Sequence, residues 1–195
     1  MRSFAYDVET LGKNKQTCPV LSIAGMEFDT DRFLSNPYTL EELVGACSYM
    51  KFNVEQQVSE YGRVIEKDTL DWWKMQGPTA FASQVAPSDD DQDLAAIKDF
   101  FYANYKYDMP TFTRGNTFDP VIVTGVYDQM NFDELVKWWN VRDFRSMFEG
   151  LSYGTDVNNK FMPGGIDESM IVAHDPRYDV AVDILRYQAL VRAIS

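Results

Sequence analysis

Asp7 and Glu9 stand two residues apart at the end of an apolar run, Phe4-Ala5-Tyr6-Asp7-Val8. On a strand, residues i and i+2 project to the same side, so both carboxylates can face one divalent ion; a solvated strand end is the other use of such a pair. Asp119 lies in Gly115-Asn116-Thr117-Phe118-Asp119-Pro120, a strand-turn-helix junction. An aspartate there either caps the helix that follows or turns into a cleft. His174, the only histidine, directly precedes Asp175-Pro176, a helix-opening pair, and Asp179 falls one turn inside that helix. His174 and Asp179 can therefore point toward one cleft, and any zinc site or Ser-His-Asp triad would have to use this histidine.

The elements that must position these groups alternate between strand and helix. Phe4–Val8 and Val20–Phe28 read as strands, the second apolar enough to be central. A turn at Asp29-Thr30-Asp31 predicts that Arg32-Phe33-Leu34 folds back as a hairpin, so the first strands are antiparallel. Helical stretches are expected around Glu55–Tyr61 and Thr69–Gln76, the latter capped by Asp68-Thr69 and stopped by Gly77-Pro78. Leu94, Ile97, Phe100 and Phe101 give Asp93–Tyr105 a helical face. Thr111–Arg114 reads as a short strand, Asp119–Met130 as a helix with Pro120 in its first turn, Leu135–Trp138 as a strand, and Asp143–Phe148 as a helix. Ser152–Glu168 is a loop, and the final helix has Asp175 as its N-cap with Pro176 at the first helical position. The class is α/β, a mixed sheet with antiparallel first strands flanked by helices, in one domain over residues 1–195.

Composition narrows the function classes. The chain has 195 residues, 18 Lys and Arg against 30 Asp and Glu, and a net charge of −12. Its 45% apolar content can build a full core, which excludes a disordered acidic tail. No apolar run approaches the roughly 18 to 20 residues of a membrane span, and the N-terminus has no signal-peptide pattern. Cys18 and Cys47 are isolated, fitting neither a disulfide framework nor a cysteine zinc site. A reducing cytoplasm is expected, the host's if the chain is phage-encoded. The acidic balance by itself argues against a nucleic-acid partner, because phosphate binding usually rests on Lys and Arg.

The motifs taken together resemble the DEDDh group of 3'-5' exonucleases, whose signature is Asp-x-Glu on the first strand, an Asp opening a middle helix, and His-x4-Asp near the C-terminus. Asp7, Glu9, Asp119, His174 and Asp179 match in identity, order and spacing across most of the chain. Thr69-Leu70-Asp71-Trp72-Trp73-Lys74-Met75-Gln76 is similar to the branch of small phage DexA-type exonucleases and a related bacterial exoribonuclease. Asp183, on the same helix face as Asp179, competes with it as a ligand, and the spacing from His174 favours Asp179. Pro176 and Arg177 stand where small residues are more usual.

The resemblance implies an RNase H-like fold and hydrolysis of the terminal phosphodiester at the 3' end of single-stranded nucleic acid, DNA slightly preferred, releasing nucleoside monophosphates. It implies two divalent cations, Mg²⁺ or Mn²⁺, on Asp7, Glu9, Asp119 and Asp179, with His174 as general base. Such ions would make the site positive within an acidic surface. Thr10, Leu11, Phe118, Asn116 and Trp73 are the candidate substrate contacts. For Trp72 and Trp73, core packing competes with stacking on bases. The alternatives are an exoribonuclease, or a catalytically idle relative that binds nucleic acid or protein. A homodimer is possible, although no dimerisation motif is present. Asp89-Asp90-Asp91-Gln92-Asp93 fails as a calcium loop, with Leu94 at the glycine position, and reads as a solvated helix cap. Residues 152–168 would form either a flap over the site or a loop with no gating role.

Overall fold

Strand alternation divides the first strand between two cores. In the computed structural model, which describes residues 1–195, β1 (Arg2–Thr10) sends Phe4, Tyr6 and Val8 into one apolar cluster and Ala5 into another. Asp7 and Glu9 share the side of Ala5.

The sheet is completed by β2 (Val20–Asp29), β3 (Ser48–Lys51), β4 (Thr111–Thr113) and β5 (Val141–Asp143), in the order β3-β2-β1-β4-β5. β1, β2 and β3 pair antiparallel, whereas β1-β4 and β4-β5 are parallel. The helices are α1 (Arg32–Ser35), α2 (Leu40–Ala46), α3 (Val54–Ser59), α4 (Lys67–Met75), α5 (Pro78–Gln84), α6 (Ile97–Asn104), α7 (Asp119–Met130), α8 (Phe144–Leu151) and α9 (Pro176–Ile194). Phe100 and Phe101 of α6 and Ile122 and Val126 of α7 cover the face of Phe4 and Tyr6. Phe144 and Phe148 of α8 and Val180, Ile184 and Leu185 of α9 cover the opposite face. This is the expected mixed sheet flanked by helices.

Three local expectations are corrected. Arg32-Phe33-Leu34 is helical, because Phe33 is fully buried, its ring stacked 6.1 Å from Phe28 and edge-on to Tyr187 at 5.1 Å; β3 takes the pairing edge of β2 instead. Leu135–Trp138 is not a strand: Leu135 and Val136 pack against the first core, and the strand begins at Val141, opposite Thr111. The α4 cap position is Glu66, which leaves Asp68 in the first turn, where its charge suits the helix dipole. The final helix begins as expected, with Asp175 accepting from the Arg177 amide at 3.1 Å. In the acidic run, Asp93 caps the turn that leads into α6 and Asp91 pairs with Lys51 at 3.0 Å.

Candidate active site

Two helices meet the end of β1 that carries Asp7 and Glu9. α9 packs across their face of the sheet and brings Asp179. The N-terminus of α7 brings Asp119 around from the other layer. Asp119 is not the helix cap, a position taken by Phe118; its Oδ1 instead accepts from the Val8 backbone amide at 3.3 Å, which ties the helix start to the end of β1. Ligand atoms of Glu9, His174 and Asp179 lie within 4.8 Å of one another.

Burial and crowding set the protonation of this cluster. Burial holds the Asp7 carboxyl well above the usual carboxylate range, and the charges of Asp119, Glu9 and Asp179 push it further up. Glu9 is raised in the same way by burial, then by Asp179 and Asp119. Burial lifts Asp119 to about 7 against the stabilising Val8 amide, and lifts Asp179 to about 7 with help from Asp183. These are like charges without enough compensating cations, an arrangement that suits a bound divalent ion. The donors are hard carboxylate oxygens, which match Mg²⁺ or Mn²⁺.

Asp183 has other work. Its carboxylate is 4% exposed and is engaged by Arg114 and by Arg186, the latter at 2.7 Å. The same two arginines reach into the 152–168 segment: Arg114 donates to the Asn159 carbonyl at 2.9 Å and Arg186 to that of Phe161 at 2.8 Å. That segment is anchored to the α9 face through these contacts. Arg177 folds back onto Asp175 and lies over the Tyr49 ring, so it accommodates the helix start without entering the cleft.

His174 is held from the far side by α4. Its Nε2 is 3.1 Å from Oε1 of Gln76, and its ring meets Trp72 edge-on at 4.7 Å and Trp73 at 5.9 Å. Burial lowers its pKa. Its backbone has φ 59°, the left-handed region that a non-glycine residue seldom occupies.

The expected substrate contacts divide. Trp73 is 1% exposed, and its indole donates to the Thr10 carbonyl at 3.0 Å, so it is a core and positioning residue and offers no free stacking face. Thr10 and Leu11 are also buried. The register shifts after Glu9, the Thr10 hydroxyl donates to the Gly12 carbonyl at 2.8 Å, and Leu11 packs with Leu21 and Trp73. The chain turns inward there because Gly12 lies against Cys18: a Cβ on Gly12 would sit 2.7 Å from the Cys18 Cβ. Phe118 is half-buried on the first core, and Asn116 is exposed. Sequence reasoning missed Gln76 and Arg114. Of these, only Gln76 left a signal, as the last residue of the Trp-Trp segment.

The mixed sheet is RNase H-like, with acids at the end of its first strand and a histidine within 4.8 Å of two carboxylates. The family described as "3'-5' exoribonuclease Rv2179c-like domain" matches residues 2–182, and the chain belongs to it. It is 30% identical over 211 residues, covering 98% of this chain and 90% of the relative, to the exodeoxyribonuclease of Enterobacteria phage T4. The fold is that of E. coli exonuclease I in its zinc-bound complex with single-stranded DNA, with a TM-score of 0.66, 13% identity and 98% of this chain covered. Exonuclease I of Methylocaldum szegediense matches with a TM-score of 0.63 and 16% identity over 98% of this chain. The chain spans about 40% of the length of these solved structures.

Proposed function

We propose that this exonuclease removes nucleotides from the 3' end of single-stranded nucleic acid, DNA in preference to RNA, releasing nucleoside 5'-monophosphates. The proximity of Glu9, His174 and Asp179, with Asp7 on the same side of β1 and Asp119 tied to the Val8 amide, supports this reading. The four carboxylates would hold two divalent cations, Mg²⁺ or Mn²⁺, which when bound activate the attacking water and stabilise the leaving 3'-oxygen. His174, neutral through burial, accepts a proton from the water as it attacks the terminal phosphodiester. Asp119, fixed by the Val8 amide, holds the α7 side of the site to the β1 side. Asn116, exposed three residues before Asp119, would meet the terminal nucleotide.

The DNA preference is supported by the phage relative, an exodeoxyribonuclease matched over nearly the whole chain. The family description names an exoribonuclease, so RNA trimming is the second reading. Both thiols are free, which fits the cytoplasm as the place of action. No helix is long and apolar enough to cross a membrane. End-labelled single-stranded DNA and RNA, incubated with Mg²⁺, Mn²⁺ or EDTA, test the reading. Faster cation-dependent shortening of DNA from the 3' end supports it, faster shortening of RNA favours the second reading, and no shortening of either refutes both.

A further inference from the structure

A second concave feature lies in the α7 layer, on the face of the sheet that carries Tyr6, opposite the face of Asp7 and Glu9. A cavity of about 420 Å³ separates α7 from residues 134–141. Asn116 and Pro120, close neighbours of Asp119 in sequence, are among its lining residues, as are Val136 and Trp138. Tyr6 and Tyr127 add aromatic surface, and the buried Tyr127 hydroxyl has no hydrogen-bond partner. Trp138 and Trp139 are 75% and 51% exposed, their rings edge to face at 5.4 Å. Large aromatics left this open mark a surface built for a partner.

Asp128 and Glu134 line the cavity itself, so the cations that could meet a phosphate backbone lie along the sheet edge beside it. Lys137, Arg142 and Arg145 bracket the two tryptophans in sequence, and none is paired with a carboxylate, in a chain whose net charge is −12. The Arg142 guanidinium reaches only the carbonyls of Trp139 and Val141, at 2.7 and 3.0 Å. Because β5 runs parallel to β4, the chain from Trp138 to Arg145 climbs the sheet edge toward the end that carries the acids. Seven residues reach at most about 25 Å, the length of a few nucleotides.

We propose that this edge is a path for the single strand upstream of the scissile bond: bases stack on Trp138 and Trp139, one enters the cavity, and phosphates meet Lys137, Arg142 and Arg145. The proposal rests on the single-stranded substrate argued above. Stacking on aromatics tolerates any sequence, and cations track the backbone, so such a path confers length dependence without base preference.

Steady-state kinetics on a dinucleotide and on a strand of about ten nucleotides test it with Trp138→Ala, Trp138→Phe, Arg142→Ala and Thr124→Trp, the last placing an indole in the cavity from the exposed face of α7. Trp138→Ala and Thr124→Trp are expected to raise KM for the longer strand about tenfold, with kcat and dinucleotide hydrolysis unchanged. Trp138→Phe should restore most of the loss, and Arg142→Ala should lower the salt slope by about 0.7. Anisotropy with a phosphorothioate-capped strand in Mg²⁺ gives an independent binding readout. A longer-strand KM and affinity unchanged by Trp138→Ala and Thr124→Trp overturn the path. If wild type cleaves no strand, the substrate reading fails, and the anisotropy comparison still judges the path. A dimer that Trp138→Ala dissociates, with strand affinity intact, assigns the surface to a second copy and also overturns it.

Discussion

Nε2 of His174 lies 3.1 Å from Oε1 of Gln76, a residue 98 positions away at the C-terminal end of α4. The amide is oriented by its other contact, since Nε2 of Gln76 donates to the Trp72 carbonyl at 3.1 Å and leaves Oε1 as acceptor. His174 therefore carries its proton on Nε2 and keeps Nδ1 as the free lone pair, a tautomer assigned from the hydrogen-bond network. Trp72 and Trp73 fix the plane of the ring.

Gln76→Ala is expected to lower kcat about 10- to 100-fold with little change in KM, as the loss of an orienting partner does. Gln76→Glu places a carboxylate against the imidazole, raises its pKa and moves the acidic limb of the kcat profile to higher pH. A purely structural Gln76 would change the melting temperature and leave that profile where it is.

The cation-free protein should lose stability as pH rises from 5 to 8. Asp119 and Asp179 titrate at about 7 when folded, against about 3.9 in an unfolded chain. The folded state thus binds protons that the unfolded state has released, and their contribution, complete below the unfolded value, is lost as pH passes through 7. Denaturant midpoints in EDTA should fall over this window and stay level in saturating Mg²⁺ or Mn²⁺. A midpoint in EDTA that is flat or rising would mean that the acids are not crowded as described.

Asp183 and Asp179, one turn apart on α9, should behave oppositely. Asp183→Ala leaves Arg114 and Arg186 without their shared carboxylate, and unfolding free energy should fall by about 3 to 5 kcal/mol. Asp179→Asn removes a repelling charge, so the fold should hold or gain stability while cation affinity is lost. Thermal melts and Mn²⁺ titrations of the two variants separate these roles.

Much of this was legible in local patterns. β1 and α9 announce themselves through alternation, an aspartate cap and a proline at the first helical position, and Asp7, Glu9 and Asp179 lie at those ends. β5 did not, because three residues carry too little pattern; the strand exists through its pairing with β4. Phe33 looked like a hairpin residue until its burial against Phe28 and Tyr187 fixed it in a helix. Thr10 and Leu11 could not be read as buried, since the inward turn depends on Gly12 meeting Cys18. The Gln76 contact was invisible for the same reason: it joins residues that only the packing of α4 brings near the start of α9.

Cation titration and exonuclease rate, measured side by side on wild type, His174→Ala and Asp7→Ala, test the central claim most directly. His174→Ala should keep Mn²⁺ binding and lose about 10²- to 10⁴-fold in rate, the contribution of a general base. Asp7→Ala should lose both binding and rate. Unchanged rates in both variants would contradict the assignment of the site.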